Sequence, residues 1–138
     1  MYGFGASSIS QLYSSYAQNE KNAAKYIKAI EDNKLATFRG YCLNNKEKII
    51  RKIINEVMCN YFVDLSEIAD TFKVKLHEII DLTSFSKDRF KDFIEDKLLE
   101  INGNKVTVNK KGRIVIRNIA MRFDPLMNKN TSSYSKTI

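Results

Sequence analysis

The sequence predicts a mainly helical, winged-helix-like domain with one β-hairpin, preceded by a stretch that carries no helical pattern. Three observations predict this. An unbroken apolar stripe runs through residues 45–59. The run "DLSE" (residues 64–67) opens a series of short helices with an aspartate version of a capping box. "NG" at Asn102-Gly103 separates two segments of alternating polarity and is followed by a last helical pattern.

Residues 1–19 show no apolar periodicity of 3.6; Tyr2 to Ile9 suits a strand end running into a glycine-rich turn. From Glu20 the spacing of Ala23, Ala24, Ile27 and Ile30 predicts an amphipathic helix ending near Asn33. "LATFRGYCL" then reads as an extended connector bent at Gly40. In the next helix, Ile49, Ile50, Ile53, Ile54, Val57 and Met58 form one face, while Lys46, Lys48, Arg51 and Lys52 mark the wet side. Asp64 caps a short helix lined by Leu65, Ile68, Ala69 and Phe72, and Leu76, Ile79 and Ile80 predict another. Ser86 caps a third, with Asp88 in its first turn and Phe90, Phe93, Ile94 and Leu98 inward.

Asn102-Gly103 predicts a type I′ hairpin turn, and Val106 and Val108 alternate as a half-buried strand should. Asn109 caps a closing helix with Val115, Ile116, Ile119, Ala120 and Phe123 apolar, although "RIVIRNI" alone also reads as a strand. Pro125 stops it. The polar, Ser- and Thr-rich tail from Asn128 is expected to be mobile.

At 138 residues, with 43% hydrophobic and 28% charged residues, the chain has room for one modest core. No apolar run approaches the ~18 residues of a membrane span, and the N-terminus lacks the pattern of a secretory signal. A reduced, cytoplasmic protein is expected. The net charge is +7, and Lys105, Lys110, Lys111, Arg113, Arg117 and Arg122 follow one another without an intervening acid. Basic surfaces attract polyanions. A groove-reading helix should carry Arg, Asn, Gln or Ser outward, whereas "KLHEIIDL" carries Glu78 and Asp81, which repel phosphates. His77 has no Ser, Cys or metal-ligand partner at suggestive spacing. Cys59, beside the apolar stripe, reads as a small core residue, and Cys42 sits in the connector with nothing to activate it. The residues alone therefore contain no complete active site.

"YGFGASSIS", "YAQNEKN", "TFRGYCL", "IINEVMCN" and "GRIVIRNIAMRFD" occur in that order. Together they resemble the C-terminal part of the oxygen-independent coproporphyrinogen III oxidases, radical S-adenosylmethionine enzymes of haem biosynthesis, over residues 3–124. The resemblance implies a catalytic barrel upstream, with a four-iron four-sulfur cluster on a C-x-x-x-C-x-x-C motif. Cys42 and Cys59 cannot supply that motif, so the chain is expected to be a piece of such an enzyme, inactive alone and with no cofactor bound. Residues 1–19 then correspond to the last strand and turn of the barrel, 20–44 to a helix and connector, 45–127 to the winged-helix-like domain and 128–138 to the tail.

By the same resemblance, Ile9 contacts a second S-adenosylmethionine, with Gly5, Ala6 and Ser8 shaping the wall beside it. Arg39, Arg113, Arg117, Asn118 and Arg122 are candidates for the propionates of the porphyrinogen substrate, since Arg binds carboxylates in bidentate fashion. The implied role is an accessory, substrate-covering domain in the oxidative decarboxylation of coproporphyrinogen III to protoporphyrinogen IX. The chain is expected to be a monomer that meets the substrate through the barrel and binds neither nucleic acid nor membrane. The alternatives are a haem chaperone of the same superfamily and a nucleic-acid-binding winged helix. Two departures matter: "KEK" stands where relatives place two acids, and Phe62 where many have Arg.

Overall fold

A computed structural model describes residues 1–125; the predicted tail lies outside the described residues. The chain divides into two compact units, Met1–Lys48 and a second beginning at Ile49.

The first unit is a three-stranded antiparallel sheet and one helix. β1 (Ile9–Gln11), β2 (Ser15–Asn19) and β3 (Thr37–Cys42) lie in the order β1-β2-β3. α1 (Ala23–Glu31) connects β2 to β3, its N-cap Asn22 accepting a hydrogen bond from the Lys25 amide. Two expectations are corrected here. "LATFRGYCL" is no connector, because residues 37–42 pair along β2. The strand end expected to run into a glycine-rich turn over Tyr2 to Ile9 comes in the other order: Gly5 (φ +94°) and Ser7 (φ +61°) turn the chain first, and the strand begins at Ile9. Gly3 permits a close approach, since a Cβ there would lie 2.7 Å from the Ile9 carbonyl oxygen.

The second unit holds the hydrophobic core. α2 (Asn45–Asn60) buries Ile49, Ile53 and Val57, the i, i+4, i+8 stripe read from the sequence. β4 (Phe62–Asp64) leads into α3 (Leu65–Phe72), and α4 (Leu76–Thr83) follows. A 3-10 turn at Asp88–Phe90, where the Ser86 hydroxyl accepts from the Arg89 amide, opens α5 (Lys91–Glu95). β5 (Leu99–Asn102) and β6 (Lys105–Val108) form the hairpin. Asn109 accepts from the Gly112 amide and starts a 3-10 turn, Gly112–Val115, before α6 (Ile116–Met121), so "RIVIRNI" is helical.

The one hairpin expected is in fact part of a second three-stranded sheet, ordered β4-β6-β5. Its turn also differs. Asn102 pairs with Lys105 as a strand residue, so Gly103 and Asn104 are the central pair, and only Gly103 has positive φ (+61°). That is the pattern of a type II′ turn rather than type I′. Leu99, Ile101, Val106 and Val108 point into the core from this sheet. Phe90, in the 3-10 turn before α5, and Phe123, just beyond α6, are both fully buried with rings 5.0 Å apart and complete the core. Cys59 corrects another expectation: it is exposed, because two residues beyond Val57 is 200° around the helix.

Candidate functional site

Short, mixed-polarity strands make the first sheet, and their pairing brings distant motifs together. Ile9 in β1 stands opposite Gln18 in β2, and Gln18 opposite Arg39 in β3. Two residues along, Gln11, Tyr16 and Tyr41 form the parallel row. Strand side chains alternate faces, so both rows lie on the same side of the sheet. Ile9, Tyr16, Gln18, Arg39, Gly40 and Tyr41 line a cavity there of about 410 Å³. Beyond Gln18 the register shifts: Asn19 pairs with Thr37, leaving Phe38 as a bulge residue.

Hydrogen bonds fix three side chains of this wall, Gln18, Arg39 and Tyr41. The Arg39 Nε donates to Gln18 Oε1 at 2.9 Å, and Gln18 Nε2 donates to the Ser7 carbonyl at 3.2 Å. The Tyr41 hydroxyl donates to Glu47, whose other carboxylate oxygen accepts from the Asn44 amide at 2.8 Å. Asn44 Oδ1 accepts in return from the Glu47 amide, which closes a capping box at the start of α2. The Tyr41 hydrogen bond and the Asn44 amide hold the Glu47 carboxyl below its ordinary range, and the hydrogen bond to Glu47, helped by its charge, pushes the Tyr41 phenol up. "KEK" therefore still provides one acid that caps the helix.

The turn beside the wall is rigid for a different reason. Asn19 Nδ2 donates to the Gly5 carbonyl (3.1 Å) and to Ser8 Oγ (3.1 Å), while Ser8 Oγ donates to the Gly5 carbonyl (2.8 Å). The Gly5 amide donates to the Tyr26 hydroxyl at 3.2 Å. Of the residues expected at an S-adenosylmethionine site, Gly5 and Ser8 thus have their polar groups engaged within the turn. Ala6 is half-buried, and Ile9, 51% exposed, offers apolar surface to the cavity.

The arginines separate into two groups. Arg39 faces the cavity in the first unit. In the second, the Arg122 guanidinium donates to Asp92 Oδ2 (2.6 Å) and to the Arg89 carbonyl (3.2 Å), and it covers the Phe93 ring. Arg113 lies over the Tyr61 ring with 4.0 Å between guanidinium carbon and ring centre. Arg117 and Asn118 are exposed on α6. Sequence reasoning missed Tyr16, Gln18 and Tyr41 as wall residues. Two of them stand in "YAQN", the segment most telling of the resemblance, and only the strand register shows that they face Arg39.

Iron–sulfur chemistry does not fit these residues. Cys42 and Cys59 are both exposed, and among the described residues no group of three or more His, Cys, Asp or Glu side chains could hold a metal. No helix among the described residues is long and apolar enough to cross a membrane.

A solved radical SAM enzyme contains a similar stretch of chain. The chain is similar, with a TM-score of 0.73 and 29% identity, to coproporphyrinogen III oxidase from Escherichia coli, over 89% of this chain and 28% of that one. Curated relatives agree. The oxygen-independent coproporphyrinogen III oxidase of Bradyrhizobium diazoefficiens is 28% identical over 138 residues, covering 100% of this chain and 30% of the relative. That of Helicobacter pylori is 30% identical over 138 residues, covering 99% of this chain and 29% of the relative. The chain is homologous to the oxygen-independent coproporphyrinogen III oxidases and matches their C-terminal part. It spans about 30% of the length of the Bradyrhizobium relative. No family model matches it.

Proposed function

We propose that this chain supplies the C-terminal, substrate-covering part of an oxygen-independent coproporphyrinogen III oxidase in the cytoplasm. The remaining part, in the same polypeptide or another, brings the iron–sulfur cluster and S-adenosylmethionine and with them the radical chemistry on coproporphyrinogen III. The observation that carries this reading is the row Ile9–Gln18–Arg39. Motif segments far apart in sequence meet there in one concave wall with an apolar end and a cationic end. Such a wall suits a ligand that joins apolar surface to carboxylates.

A second feature supports the reading. α1 buries none of its residues fully, and Ile27 and Ile30 are 53% and 50% exposed, so about half of its apolar stripe faces water. A stripe of that kind marks a contact surface. In the second unit, α3, α4 and the β5–β6 hairpin suit a winged-helix-like label. The exposed Glu78 and Asp81 on α4 argue against a DNA-reading use of it. The candidates Arg113, Arg117 and Asn118 remain available to substrate propionates, whereas Arg122 is committed to Asp92.

Anaerobic reconstitution tests the proposal. The chain is joined to the N-terminal portion of the Helicobacter pylori relative, in place of that enzyme's own C-terminal part, and protoporphyrinogen IX is measured. We expect turnover that depends on the joined chain. A well-folded, cluster-loaded hybrid without turnover, or stoichiometric haem uptake by the chain itself, would contradict it.

A further inference from the structure

We infer that Gln18 is a positioning residue that aims Arg39 at an anionic group. The geometry is specific. Gln18 grips Arg39 by the Nε edge alone (2.9 Å), and no described residue bonds its two terminal amino groups. A guanidinium held in this way presents its remaining planar fork, the edge that takes a carboxylate in bidentate fashion. Exposed arginines ordinarily lose rotamer entropy when they bind an anion, and prior restraint at Nε removes part of that cost.

Gln18 also ties this edge to the turn. Its Nε2 reaches the Ser7 carbonyl, so one amide side chain bridges β3 and residues 5–8 across β2. The bulge at Phe38 adjoins the same pair; it interrupts the ladder directly before Arg39, between the Asn19–Thr37 and Gln18–Arg39 pairs, and locally raises the twist. A bulged edge re-aims side chains, and the Gln18 amide fixes where this one points. The two bonds can be separated chemically. Gln18→Glu keeps an acceptor for Arg39 Nε but removes the donor to Ser7, whereas Gln18→Leu removes both.

The inference rests on the proposed carboxylate-binding wall, and the test separates the two. In the 138-residue chain the Arg39 Nε–H is followed by nitrogen-15 NMR, with no ligand present. We expect its hydrogen exchange to rise about tenfold in Gln18→Leu and to stay near the parent rate in Gln18→Glu. Coproporphyrin III, an air-stable tetracarboxylate, is then titrated. Its affinity should fall about tenfold in both variants, in Gln18→Glu because the added carboxylate competes for the fork while the Nε contact survives. A merely structural role would not divide the two readouts. Unchanged Nε exchange in Gln18→Leu would overturn the inference. Absence of coproporphyrin binding by the parent chain, with the exchange pattern as expected, would leave Gln18 in place and remove the carboxylate wall instead.

Discussion

The two units treat their apolar residues in opposite ways. In the unit from Ile49 onward, one contiguous core buries Ile53, Val57, Leu65, Ile79, Phe90, Leu99, Val106, Ile119 and Phe123 almost completely, and only Ile114 and Met121 among its large described apolar side chains are exposed. In Met1–Lys48 the only fully buried apolar residue is Ala36, while Tyr2, Phe4, Ile9, Tyr13, Ile27, Ile30, Leu35, Phe38 and Tyr41 are all exposed. A three-stranded sheet with one helix has little core of its own, so backbone pairing carries a large share of its stability. One unit is therefore finished as a hydrophobic object. The other is a surface.

Core truncation gives the widest contrast. Phe90→Ala should destabilise the second unit by about 3–5 kcal/mol in denaturant unfolding, because a fully buried ring leaves a cavity. Ile27→Ala in the first unit should change stability by no more than about 0.5 kcal/mol, since half of that side chain is already in water. Equal losses at the two sites would end the distinction.

Asp64→Ala comes next, at about 1–2 kcal/mol. Asp64 is buried, caps α3 through the Ser66 amide and pairs with Lys105 at 2.9 Å. Burial pushes its carboxyl up, but the Lys105 ammonium and the amides of Ser66 and Glu67 outweigh burial and hold it below the ordinary carboxylate range. A depressed carboxyl contributes stability above its unfolded pKa and loses it as pH falls through the folded one. Acid titration of stability should therefore flatten in Asp64→Ala; an unchanged acid limb would assign the slope to other carboxylates.

The smallest effect belongs to the first unit. The Tyr41 phenol should ionise above the ordinary phenol range by ultraviolet difference titration against Tyr41→Phe, and Glu47→Gln should bring it back toward that range. The Glu47 share of this contact is lost as pH falls below the ordinary carboxylate range and the Tyr41 share as pH rises past the ordinary phenol range, so it persists between them. Ionisation of Tyr41 at the same pH with and without the Glu47 carboxylate would remove the contact from solution.

Legibility followed the same division. The α2 stripe, the Asp64 cap and the Val106–Val108 alternation are local signals, and each survives in the structure because the core of the second unit agrees with them. β3 was hidden because its partner β2 lies across α1, and neither strand alternates cleanly. The hairpin turn shifted by one residue because Asn102 serves the ladder before the turn. Arg122 looked available for substrate until the fold brought Asp92 to it, a pairing of residues thirty apart that no local pattern encodes. Ile9 and Arg39 came from the resemblance; that they share one row, with Gln18 between them, is a fact of register alone.

Hydrogen exchange with and without the N-terminal portion of the Helicobacter pylori relative is the most direct measurement. Slower amide exchange confined to residues 1–48, centred on β1 and α1, is the result we expect if this unit is a surface awaiting the rest of the enzyme. Protection confined to residues 49–125, or none at all once complex formation is established by sedimentation, would contradict it.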